Sequence, residues 1–127
     1  MIARVFLGLV AVLFVPYGIY CFFVPGSLTE AAGVVSITAT GATELRAMYG
    51  GLQTGLGLLA GLAVVRADWV RPALLAVAFA GGGLFCARIT GSTLESGWSQ
   101  YTGIALALEA SLLVVSVLLL RRAPAAA

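Results

Sequence analysis

Five side chains able to handle charge or hydrogen bonds interrupt otherwise apolar runs: Arg46, Tyr49 and Gln53 in one stretch, Arg88 near the end of the next, and Glu109 in the middle of the last. At helical spacing Arg46, Tyr49 and Gln53 follow one another at i, i+3 and i+7, so one face carries all three. Thr102, Glu109 and Ser116 recur every seven residues, a small and polar stripe among leucines. Tyr17 and Tyr20 share a face of the first stretch. The seven residues Tyr17, Tyr20, Arg46, Tyr49, Gln53, Arg88 and Glu109 are expected to converge, as a ligand-binding site or as a buried polar network. A guanidinium can hold an anion, and a membrane carboxylate can carry a proton or fasten to a guanidinium. Desolvation favours the neutral carboxyl of Glu109 and a neighbouring arginine the charged one, so the residue types leave its charge open. A charge deep in lipid costs at least about 2.5 kcal/mol on insertion scales, so these groups are expected to face protein and to have partners.

The absent residues narrow the chemistry. There is no histidine, which removes the commonest general base and metal ligand. No nucleotide loop and no Ser or Cys nucleophile beside a base can be found, so no catalytic residue, metal or cofactor is expected. The net charge of +2 comes from arginine alone, and no basic stripe offers a nucleic-acid footprint. Cys21 and Cys86 form no CxxC and are expected to be small apolar packing residues, with an outer-side disulfide as the alternative.

The elements that must position these groups follow from the spacing of charge. Eleven of the twelve charged residues sit at the edges of four apolar stretches, in a chain of 127 residues that is 61% hydrophobic and 9% charged. No charge stands between Arg4 and Glu30, or between Arg46 and Arg66. Each gap holds enough helix to cross roughly 30 Å of hydrocarbon. The expected fold is an all-α, four-helix transmembrane bundle forming one domain over 1–122. Its helices run from about 2–24, 44–65, 72–89 and 100–120, with a disordered tail at 123–127. Counting nine residues in from Glu44 and from Gln100 places Gln53 and Glu109 at one depth, roughly 13 Å from the outer end. In the first outer loop Ser27-Leu28-Thr29-Glu30 has the form of a capping box, and a short interfacial helix over about 28–33 is expected there.

Arg4, Arg66, Arg71, Arg121 and Arg122 fall on one side of this scheme, while the opposite loops carry Glu30 and Glu95. The positive-inside rule makes the arginine side the cytoplasm of a bacterial inner membrane, with both termini there. The first apolar run is too long for a secretory signal and no A-x-A site precedes a polar start, so it is read as a span. Gly50, Gly57 and Gly61, with the small-xxx-small pairs Gly51/Gly55 and Gly57/Gly61, are expected to let helices approach closely, within the chain or across a homodimer.

The run from Glu44 to Gly57, with its R-A-x-Y-G-G core and G-x-G step, together with Arg88 and Glu109, resembles a bacterial family of short four-helix membrane proteins called domain of unknown function 4345. The resemblance covers nearly the whole chain and implies that Arg46, Tyr49, Gly50, Gly51, Arg88 and Glu109 are family-type positions. It brings no activity. A looser similarity to DoxX-like four-helix membrane proteins is one of fold only.

Three function classes fit the residues. One is a non-enzymatic membrane protein that binds a lipid-like or small apolar molecule, or a partner in a larger membrane complex, through an outward polar cavity. The second is a dimeric proton-coupled transporter working through Glu109. The third is a lipid or quinone enzyme with Glu109 as acid or base and an arginine on an anion.

Overall fold

The computed structural model describes residues 1–122. It is all-α, with no strand among the described residues, and four of its rods are long and apolar enough to cross a membrane: Ile2–Phe23, Ala39–Val65, Ala67–Leu94 and Gln100–Arg122. The chain falls into two compact units, Met1–Val70 and Arg71 onward.

In the first unit α1 covers Ile2–Phe23, α2 Ser27–Ala32, α3 Ala39–Leu45 and α4 Gln53–Val65. Between α3 and α4 lies a π-helical segment, Arg46–Leu52, and all three run on as one rod. A 3-10 turn, Ala67–Trp69, ends the unit. The main seam is between α1 and this rod. Val64 meets Gly8, Gly61 meets Ala11, Gly57 meets Phe14 and Val15, Thr54 meets Gly18, and Gly50 meets Phe22. One number rises as the other falls, so the helices are antiparallel. Small residues make the approach close: a Cβ on Gly57 would stand 2.7 Å from Val15 Cγ2 and 2.9 Å from its backbone nitrogen. Without a hydrophobic drive between helices in lipid, such backbone-level packing is what holds spans together.

The second unit pairs α5, Val70–Leu94, with α6, Gln100–Arg122. Gly81 of α5 lies against Leu112 and the Glu109 carbonyl, and Gly82 against Leu113. The connection is tight. The Gly97 amide donates to the Ser92 carbonyl at 3.0 Å, Ser96 takes a left-handed φ of 53°, and Ser99 caps α6 by accepting from the Thr102 amide at 3.1 Å.

Several boundaries differ from the sequence-based expectation. The second span begins at Ala39 rather than about 44, because Thr38 accepts from the Gly41 amide at 3.0 Å and caps the helix early. The third continues to Leu94 rather than about 89, and within its last turns the Thr93 hydroxyl is satisfied by the Ile89 carbonyl at 2.8 Å. Ser27 does not form the expected capping box. Gly26 already has helical dihedrals and is the N-cap, so Ser27 sits inside α2 and its hydroxyl donates to the Val24 carbonyl at 2.7 Å. The expected tail at 123–127 lies outside the described residues. Cys21 is buried in α1, Cys86 is exposed on α5, and both are free thiols.

Candidate functional site

Arg88 and Glu109 form the strongest polar contact of the second unit. Arg88 Nε donates to Glu109 Oε1 at 2.9 Å and Oε2 at 3.1 Å, and Nη2 donates to Oε1 at 2.7 Å. The Glu109 side chain is 5% exposed and that of Arg88 27%. A side-on, two-point pairing of this kind is the strongest form of the arginine–carboxylate bond. The Arg88 guanidinium also lies 5.8 Å from the centre of the Tyr101 ring, within cation–π range. Helix geometry explains the match. Arg88 is six residues from the end of α5 at Leu94, roughly 9 Å, and Glu109 nine residues from Gln100, roughly 13 Å, so the long arginine stem points inward to meet the carboxylate. Tyr101 escaped the sequence reading, although it stands eight residues before Glu109, two helical turns away on one face. Below the pair, Ser116 is fully buried and its hydroxyl has no hydrogen-bond partner among the described residues.

Arg46 belongs to the first unit and does something different. Its Nε donates to the Phe22 carbonyl at 3.1 Å. Phe22 is in the last turn of α1, where carbonyls lack intrahelical partners and the helix dipole presents partial negative charge. The arginine therefore completes the end of α1 with one N–H and keeps further donors at its Nη atoms. It makes no ion pair among the described residues. Arg46 and Tyr49 lie in the π-helical segment, half-buried, and Gln53 opens α4, also half-buried. Tyr20 is exposed near the same end of α1, with Phe22 and Phe23 exposed beside it. Tyr17, one turn deeper, is 38% exposed.

The expected common depth of Gln53 and Glu109 rested on a uniform α-helix beginning at Glu44. Neither premise holds, since the rod starts at Ala39 and passes through a π segment before Gln53. A π turn closes i→i+5 bonds and so alters both rise and azimuth. Of the seven residues, the structure joins Arg88 to Glu109 directly and gathers Tyr20, Arg46 and Tyr49 at one end of the first unit. The five glycines divide in the same plain way. Gly50, Gly57 and Gly61 face α1, whereas Gly55 has no neighbour within 4 Å of a built Cβ and Gly51 only the Arg46 carbonyl at 3.9 Å.

A family model described as Domain of unknown function (DUF4345) matches residues 2–120. The chain belongs to the DUF4345 family. No curated protein and no solved structure matches it. The DUF4345 match reaches into all four apolar rods, so it includes the π segment that presents Arg46 and the Arg88–Glu109 pair alike.

Proposed function

We propose that this DUF4345 protein is a non-enzymatic protein of the bacterial inner membrane, with both termini cytoplasmic, that binds a lipid-like or small apolar molecule through its outer end. Arg46 holds the polar group of that molecule, and Tyr20 and Tyr49 flank its apolar part. The observation that carries this reading is the state of Arg46: one N–H is spent on the Phe22 carbonyl, no carboxylate among the described residues neutralises the rest, and a π-helical segment displays it. Single π turns inside helices cluster at functional sites because they turn side chains out of the regular register. The order along the chain, with arginine at Arg4, Arg66, Arg71, Arg121 and Arg122 and none in the loops that carry Glu30 and Glu95, supports the orientation.

The Arg88–Glu109 pair supports a fastening role instead. A carboxylate 5% exposed and held at three N–H···O contacts is committed to α5, which speaks against its use as the exchanging group of a transporter or as a general base.

The test is native mass spectrometry of protein extracted with its surrounding lipids, comparing wild type, Arg46→Ala and Glu109→Gln. The expected result is a retained small molecule in wild type and Glu109→Gln that is lost in Arg46→Ala. An unliganded wild type, or a stoichiometric protein partner at the Arg46 end, overturns the reading.

A further inference from the structure

The flank of the α1/α4 seam carries a second feature, at the opposite end of the first unit from Arg46. Two clefts lie along it, of about 490 and 590 Å³, each in the range of small-molecule sites. Met1, Arg4, Val5, Gly8 and Val64 line the first. Val12, Pro16, Leu58 and Leu62 line the second. On α1 the lining residues step by three or four from Arg4 to Pro16, so both clefts follow one stripe of the same helix. The cause is the glycine seam itself: Gly8, Gly57 and Gly61 draw the backbones together and leave the space beside them without side chains.

We infer that this groove holds a phospholipid with an anionic headgroup, its phosphate on Arg4 and one acyl chain along the cleft. Three properties select that occupant. The walls are apolar except at the mouth, where Arg4 is exposed and has no ion-pair partner among the described residues. Positive charge thus stands only where a headgroup would lie. From Arg4 to Pro16 is twelve residues, roughly 18 Å of helix, close to the roughly 15 Å that one leaflet contributes to the hydrocarbon core. Finally, Arg4 stands in the first turn of the span Ile2–Phe23, so its guanidinium lies at headgroup level when Val12 and Pro16 lie among acyl chains. A second copy of the chain would need small residues facing the groove and a carboxylate opposite Arg4, whereas an anionic lipid supplies charge and chain in one molecule.

The experiment is titration of the full-length protein in neutral detergent micelles with phosphatidylglycerol or with phosphatidylcholine of identical acyl chains, read by native mass spectrometry. Wild type is expected to retain phosphatidylglycerol about fivefold better, the effect of one arginine near an anionic headgroup. Arg4→Gln removes that preference and leaves weak binding of both lipids. Gly8→Val, whose Cβ meets only Val64 Cγ2 at 3.6 Å and so folds, fills the first cleft and lowers retention of both. Equal retention of the two lipids by wild type, or an unchanged preference in Arg4→Gln, overturns the inference. A wild-type dimer that Gly8→Val dissociates also overturns it, in favour of a second copy. Arg46→Ala leaves this preference intact, so failure here and failure of the outer-end site are told apart.

Discussion

At the scale of single residues, a buried ion pair and a capping arginine divide the polar chemistry between them. Burial of Glu109 makes its partner indispensable, because removing one member strands a charge or a set of donors away from water. Glu109→Gln and Arg88→Gln are each expected to lower resistance to denaturing detergent, by a few kcal/mol at the upper end for broken buried pairs, and the double variant to recover part of that loss. A double variant as unstable as the sum of the two would remove the pairing as a stabilising device. Ser116 offers a simpler case. Its buried hydroxyl has no partner among the described residues, so Ser116→Ala should raise stability by about 1 kcal/mol in the same assay. Which arginine meets Glu109 was not legible from the sequence. Arg46 and Arg88 are equally charged, and only the end of α1, whose Phe22 carbonyl needs a donor, assigns the first elsewhere.

Elements show where a linear reading holds. All four spans were legible because hydropathy sums over many residues and tolerates local error. Their ends were not, since Thr38 starts its helix early through a single hydrogen bond that composition does not mark. The π segment at Arg46–Leu52 left no sign beyond the Gly50-Gly51 pair, because i→i+5 bonding uses the same residue types as i→i+4. Deleting Met48, exposed in that segment, should restore regular helix, turn Arg46 away from Phe22 and abolish retention of the ligand proposed for Arg46 while circular dichroism keeps its helical content. Retention by the deletion variant would show that the π turn does not aim Arg46. The glycines make a paired prediction. Gly57→Leu places a side chain where Val15 already stands and should abolish folded, monodisperse protein in gel filtration, whereas Gly55→Ala meets nothing and should stabilise by up to about 1 kcal/mol through helix propensity.

The whole molecule is a membrane protein in which Arg4, Arg66, Arg71, Arg121 and Arg122 stand at or near the ends of its rods, while Arg46, Arg88 and Glu109 lie within them. If the arginine side is the cytoplasm, a fluorescent-protein fusion at either terminus should be bright and a periplasmic phosphatase fusion at the same place silent. The opposite pattern would invert the orientation and move Arg46 to the inner leaflet. Cys86 adds a consequence of its own. Cys21 has no exposed surface, while Cys86 is exposed on α5, eight residues from Leu94 and so roughly 12 Å along the helix. The native chain therefore carries a single accessible attachment point at a set depth, and a lipid-soluble thiol-reactive spin label placed there turns the unmodified sequence into its own ruler for how far the protein sinks into a bilayer.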